Sequence, residues 1–275
     1  MKLIATGLTG TIGRKLDEEV ESAKVTLGKD NLIKYFDPKE GPITLIHLGG
    51  VVGESKVSSD LTFSHSINVT ETLNLAREVI ERFNGRFVYV SSSHVYGPSI
   101  ELLTESSPLD PKSNYAEQKA KAEYELLKHF GPEHPQLLVL RVFSVLGWDV
   151  ADFTLGGAVK RVIAGSKETI SNTDDIRDFM TPTSIATAIQ EIASTKQASG
   201  IYNLCTGRGL SVGDAVRDML RIKRVDVKPS QLEHGNSTNP HIVGSNDKIK
   251  NLGIRLDLNW DPFGEIKKNF DESDA

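Results

Sequence analysis

In the stretch "SNYAEQKAKAEYELL" (113–127), Tyr115 and Lys119 stand four residues apart, a spacing that puts both on one face of a helix. A phenol with a pKa near 10 is a poor base at neutral pH. An ammonium ~6 Å away would favour the phenolate by roughly 3 kcal/mol at an effective dielectric of about 20, or about two pKa units. The pair reads as a proton-exchanging phenol tuned by a lysine, although Tyr and Lys at this spacing also occur on many surface helices. More hydroxyls lie upstream, where "YVSSSHVYG" (89–97) ends an apolar run with Ser91, Ser92 and Ser93, followed by His94. Serines are ordinary loop residues. The histidine reads either as a second acid or base or as a hydrogen-bonded loop residue.

A third constellation opens the chain. "ATGLTGTIGRKL" (5–16) places Gly7, Gly10 and Gly13 three apart, directly after the first apolar run. In a Rossmann unit such glycines permit a tight turn and let backbone N–H groups, with a helix terminus behind them, approach a pyrophosphate. A lone glycine turn is weak evidence, and its position at a strand-to-helix junction strengthens it. The acid that would hold a ribose 2′-hydroxyl is expected about 20 residues on; that slot falls on Gly28, with Lys29 beside it. A missing acid and an added cation favour a 2′-phosphate, so NADP is expected ahead of NAD, with Arg14 available to help. Lys29 reads equally as a solvated turn lysine. Asp37 reads as an acceptor for the adenine amino group or as a turn residue before Pro38.

These residues need a scaffold that gathers them. The first 145 residues alternate short apolar runs with amphipathic stretches, the pattern of βαβ units and a parallel sheet. Strands are predicted at 2–6, 24–27, 33–36, 43–48, 86–91 and 137–142, and helices at about 11–21, 68–83 and 113–130. The expected fold is α/β, a Rossmann-type doubly wound parallel sheet with a smaller C-terminal substrate-binding lobe. Residues 1–147 would form the dinucleotide-binding core and 148–275 mostly the lobe, with about 176–205 returning to the core. In such sheets ligand groups gather at the carboxyl ends of strands, where the serines and the glycine turn both fall.

Composition narrows the function. The net charge of −5 offers no basic field for nucleic acid. The longest apolar stretch, "LLVLRVFSVLGW" (137–148), is interrupted by Arg141 and is too short to span a bilayer, so no membrane association is expected. No secretory leader is recognised in the opening residues. Cys205 is the single cysteine, which excludes an intramolecular disulfide framework and a multi-Cys metal site. No metal is expected, and the cytoplasm is the expected address.

Together the glycine turn, the serine stretch and Tyr-x-x-x-Lys, in that order, resemble the extended short-chain dehydrogenase/reductases, the NAD(P)-dependent epimerase/dehydratase group that modifies nucleotide-linked sugars. Matching segments include "TGLTGTIG" (6–13), "HLGG" (47–50), "NVTET" (68–72), "LRVFSVLG" (140–147), "RDFM" (177–180) and "SGIYNLCTG" (199–207). The resemblance implies that Tyr115 is the general acid/base, that Lys119 lowers its pKa and binds the nicotinamide ribose, and that Ser92 hydrogen-bonds the reacting oxygen. It implies cofactor contacts from Gly7, Gly10, Thr11, Ile12, Gly13, Leu48, Gly49 and Gly50 besides Lys29, Asp37, Tyr115 and Lys119. Substrate contacts are implied for Ser93, His94, Ser144 and Arg177, the last as a planar guanidinium suited to a diphosphate. Ser93 and His94 stand where sugar 4,6-dehydratases carry Asp and Glu, which disfavours that activity and leaves epimerase or ketoreductase chemistry on a nucleotide-activated sugar. A non-catalytic dinucleotide sensor of the same fold is the alternative, and it would need only the glycine turn. The resemblance also implies a homodimer through helices 68–83 and 113–130.

Overall fold

The structure is a computed structural model that describes residues 2–16, 20–22, 31–224, 231–254 and 264. Its centre is a parallel sheet of six strands: β1 (Lys2–Thr6), β2 (Glu21–Ser22), β3 (Ile43–His47), β4 (Arg86–Ser92), β5 (Leu137–Val142) and β9 (Gly200–Leu204). Their spatial order is β2-β1-β3-β4-β5-β9. The direction of winding reverses between β1 and β3, and a crevice opens at the carboxyl ends of strands at such a point.

Both faces of the sheet are apolar and covered. Strand side chains alternate, so Ile46, Val88, Val90, Leu138 and Leu140 pack beneath Ile185, Ile189 and Ile192 of helix α6 (Pro182–Ser194). On the opposite face Leu45, Phe87, Tyr89, Leu137 and Val139 meet Leu75, Val79 and Phe83, and Leu126 of helix α4 (Asn114–Phe130). Fully burying each such side chain contributes about 1.5–3 kcal/mol. That burial holds the carboxyl ends of β1, β3 and β4 side by side.

Several elements form as their local sequence predicts. Ser113 caps α4 by accepting a hydrogen bond from the Ala116 N–H at 3.2 Å. The helical run predicted at 68–83 begins earlier, with α2 (Leu61–His65) capped by Asp60, and continues through α3 (Thr72–Arg77) with π-helical turns at Ser66–Glu71 and Glu78–Arg82. Thr181 caps α6, with Pro182 in its first turn.

The region after the glycine turn differs from expectation. Instead of a helix over 11–21, only a single 3₁₀ turn, Gly13–Lys15, forms among the described residues, and Leu16 is already extended. Glu21 pairs with Ile4 in the sheet, so a helix cannot run through that position. The strand predicted at 24–27 lies outside the described residues. That predicted at 33–36 is replaced by a 3₁₀ turn, Leu32–Lys34, whose Leu32 and Ile33 N–H groups donate to the Glu78 carboxylate at 2.8 and 3.2 Å.

Beyond β5 lie two small sheets. One pairs β6 (Ser144–Val145) with β8 (Phe179–Met180), and the other places β7 (Ile176–Arg177) between β10 (Leu210–Ser211) and β11 (His241–Ile242). Helices α5 (Leu155–Ile163) and α7 (Val212–Ile222) share their own apolar cluster around Val159, Val216 and Met219. No helix among the described residues is long and apolar enough to cross a membrane.

Candidate active site

The glycine turn and the loop after β3 meet at the winding reversal. Gly7 has φ +77°, and a Cβ there would fall 2.7 Å from the Gly49 nitrogen; one at Gly13 would fall 2.2 Å from the Gly7 carbonyl oxygen. Both positions require glycine, and the result is a cradle of bare backbone suited to a pyrophosphate. Residues from Gly7 to Gly13, with Leu48, Gly49 and Gly50, therefore fit a dinucleotide. The long helix dipole expected behind them is absent from the described residues.

A threonine–histidine chain braces this cradle. Thr6 Oγ1 accepts from the Gly49 N–H at 3.0 Å and lies 2.7 Å from His47 Nδ1, while His47 Nε2 lies 3.1 Å from Thr72 Oγ1. With Thr6 donating to Nδ1, the ring carries its proton on Nε2. Burial, then the Lys119 charge, lower the His47 pKa to about 3, so the imidazole is a neutral strut. Asn68 performs a similar service: it bonds Val51 N and O at 2.8 and 2.9 Å and Gln118 Oε1 at 2.8 Å, tying the loop after β3 to α4.

Other cofactor candidates are engaged elsewhere or lie outside the described residues. Asp37 caps a short turn by accepting from the Lys39 N–H at 2.9 Å, the turn role weighed for it above. Arg14 pairs with Asp149 at 3.1 Å. Lys29 lies outside the described residues.

The serine stretch and the Tyr-x-x-x-Lys helix come together where β4 ends against α4. Ser92 closes β4 and caps the following turn, Ser93–Val95. Tyr115 is half-buried, and the Ser92 hydroxyl opposes the effect of burial on its phenol. Lys119 is buried, donates to the Val90 carbonyl at 2.9 Å, and stands 5.9 Å from the Tyr115 ring centroid. Glu54 accepts from the Tyr115 N–H at 3.0 Å and fixes the first turn of α4.

The electrostatics reverse one expectation. Burial pushes the Tyr115 pKa up to about 12, with the Ser92 hydroxyl opposing it; desolvation of the phenolate dominates. Lys119 is itself brought down to about 8 by burial, against the opposing pull of Glu123. At neutral pH Tyr115 holds its proton, so the site presents an acid to an incoming oxygen.

Of the residues offered for substrate, Ser93 is buried and His94 is exposed. His94 Nδ1 sits 3.2 Å from Ser92 Oγ, and its ring meets Tyr115 edge-on with centroids 6.3 Å apart. Arg177 donates to Asp175 at 2.7 Å and Ser237 at 3.3 Å, and its charge helps to lower the His94 pKa. Ser144 lies in β6, half-buried, with its N–H on the Asp178 carbonyl at 2.9 Å.

Sequence reasoning missed the buried polar network behind these groups. Glu123 accepts from Arg141 at 2.6 Å and from the Ser91 hydroxyl; Arg141 also donates to Tyr96 at 2.8 Å, whose hydroxyl donates to Asn203 at 2.8 Å. Two signals were present. Glu123 continues the Tyr115, Lys119 face at the next i+4 step, and a lone arginine in an apolar buried strand demands a partner.

A Rossmann-type sheet with a glycine cradle at its winding reversal, facing Ser, Tyr and Lys, defines an NAD(P)-binding protein. A model of the NAD dependent epimerase/dehydratase family matches residues 3–205, and the chain belongs to that family. It is similar to the GDP-6-deoxy-D-mannose reductase of Pseudomonas aeruginosa, 27% identical over 248 residues that cover 82% of each chain. It is also similar to the GDP-6-deoxy-D-talose 4-dehydrogenase of Aggregatibacter actinomycetemcomitans, 25% identical over 92% of this chain and 91% of the relative. Among solved structures, RMD from Pseudomonas aeruginosa complexed with NADPH has the same fold, with TM-score 0.75 at 23% identity over 95% of this chain and 94% of the other. The chain is thus an enzyme of an NAD(P)-dependent family.

Proposed function

We propose that the chain is a ketoreductase that uses NADPH to reduce the 4-keto group of a GDP-linked 6-deoxyhexose. The observation that carries this reading is the protonated Tyr115 phenol set over Lys119 where β4 ends against α4, a proton donor placed where a carbonyl oxygen becomes an alcohol. The names of two similar enzymes support the substrate class. Mannose and talose differ only in configuration at C4, so oxidation at that carbon leads from either sugar to the same 4-ketone.

Ser92 and Tyr115 hydrogen-bond the ketone oxygen, orienting its carbon toward the cofactor face of the cleft. The bound nicotinamide supplies the hydride. Tyr115 transfers its phenolic proton to the oxygen as negative charge develops there, and the Ser92 hydroxyl steadies that charge. Lys119, anchored on Val90, would place a cation near the resulting phenolate and would be the residue to hold the nicotinamide ribose. Gly7, Gly10, Thr11, Ile12, Gly13, Leu48, Gly49 and Gly50 would hold the dinucleotide. Arg177 would offer its guanidinium to the substrate diphosphate, with Ser93, His94 and Ser144 around the sugar. The same reading takes 1–147 as the cofactor half and 148–275 as the substrate half, with 176–205 returning to the first. It includes a cytoplasmic homodimer in which the exposed Phe63 and Tyr124 contribute to the contact.

The test is incubation of the purified protein with GDP-4-keto-6-deoxy-D-mannose and NADPH. Stoichiometric loss of NADPH absorbance with formation of a GDP-6-deoxyhexose is expected. Interconversion of C4 epimers without net cofactor consumption would instead establish an epimerase.

A further inference from the structure

His94 is a titratable group that touches the serine of the site and is exposed to water. Its Nδ1 lies 3.2 Å from Ser92 Oγ, and its backbone N–H donates to the same oxygen at 3.2 Å. Its ring packs edge-on to Tyr115 with centroids 6.3 Å apart. The side chain is exposed, and its Nε2 has no partner among the described residues. Lys119, the other basic group near the phenol, is only 8% exposed and is committed to the Val90 carbonyl. Each turnover in the reducing direction leaves a phenolate that must regain a proton, and His94 links the Ser92 hydroxyl to solvent.

Resting on the ketoreductase reading, we propose that His94 is a proton-relay residue that recharges Tyr115 through the Ser92 hydroxyl. The transfers balance as follows. Ser92 Oγ–H gives its proton to the Tyr115 phenolate, His94 Nδ1–H gives its proton to Ser92 Oγ, and His94 Nε2 takes one from a water in the cleft. The imidazole ends in its Nε2–H form, and exchange with water restores Nδ1–H. Over the cycle one proton has moved from water to the phenol, the hydroxide left behind passes to the bulk solvent, and Ser92 and His94 return to their starting forms. In the oxidising direction the same path runs backwards.

The surroundings suit an imidazole that stays neutral. Ser92 from β4, Tyr115 from α4 and Arg177 from β7 face it. Desolvation of the ring where it packs against Ser92 and Tyr115, then the Arg177 charge, keep its pKa below the ordinary 6.5. A neutral ring offers a donor on one nitrogen and an acceptor on the other, as a relay requires.

Two readouts test the proposal. In steady-state reduction of GDP-4-keto-6-deoxy-D-mannose, His94→Gln should lower kcat about tenfold or more with KM little changed, within the ordinary reach of proton-transfer catalysis. Free imidazole should restore much of the loss in His94→Ala. The wild-type kcat profile should carry an inflection below pH 6.5 that His94→Gln lacks. Full kcat in His94→Gln, or a loss with neither imidazole rescue nor a changed pH profile, would overturn the relay and leave at most a packing role. The second readout needs no substrate: in ¹⁵N-histidine spectra, Ser92→Ala should shift the His94 Nδ1 resonance and its titration. An unmoved resonance would overturn the proposal even if the 4-ketone is turned over. If the wild type reduces no 4-ketone, the ketoreductase reading fails by itself and the spectra still decide the His94–Ser92 link.

Discussion

Tyr115→Phe is expected to lower kcat for ketone reduction by about 10²–10⁴-fold, the range that a positioned general acid contributes, while the protein keeps its fold and its affinity for NADPH. Phenylalanine removes only the hydroxyl. The ring of Tyr115 is half-buried and its backbone N–H remains on Glu54 at 3.0 Å, so α4 starts where it did. The cradle formed by Gly7, Gly13 and Gly49 is untouched. Steady-state kinetics beside a cofactor fluorescence titration separate the two effects. Full turnover in Tyr115→Phe would remove the phenol from the mechanism, and lost cofactor binding would make its role structural.

Glu123→Ala is expected to destabilise the fold by about 3–5 kcal/mol, the usual consequence of removing one partner from a buried ion pair. Glu123 and Arg141 are 1% and 3% exposed and 2.6 Å apart. Without the carboxylate, the guanidinium keeps Tyr96 and the Glu105 carbonyl but has no counter-charge. A melting temperature lower by about 10 °C follows for a chain of this size, and thermal unfolding checks it. Arg141→Met combined with Glu123→Leu should lose less than the two single changes summed, since no charge is then left buried. The change also reaches the site. Glu123 opposes the burial that brings Lys119 down to about 8, so its removal lowers the lysine further, and any kcat inflection that reports Lys119 moves to lower pH.

Why the sequence did not show this network follows from where it forms. Ser91 stands opposite Arg141 in the pairing of β4 with β5, and Glu123 reaches both from a helix above. Only the register brings the three together. Tyr-x-x-x-Lys was legible because it needs a single helix, its i, i+4 spacing lying within one segment. The strands 2–6 and 137–142 form at their predicted bounds, because long buried parallel strands announce themselves as apolar runs.

Residues 33–36 were misread for a different reason. A short apolar run does not distinguish strand from turn, and the deciding partner, the Glu78 carboxylate, lies some 45 residues away. The phenol's pKa was misjudged because the Coulomb term could be written from the spacing alone, whereas burial could not. Ser92 bonding to His94, two residues on, was within reach of the sequence; the exposure that gives His94 a path to water was not.

The central claim is that this chain moves hydride between NADPH and C4 of a nucleotide-linked sugar with Tyr115 supplying the proton. The most direct measurement is mass spectrometry of the sugar formed from GDP-4-keto-6-deoxy-D-mannose with C4-deuterated NADPH, run for the wild type and for Tyr115→Phe. One deuterium at C4 of the sugar per cofactor consumed, and its near-absence with Tyr115→Phe, is the predicted result. An unlabelled sugar with the cofactor unchanged, or equal labelling by the two proteins, would contradict it.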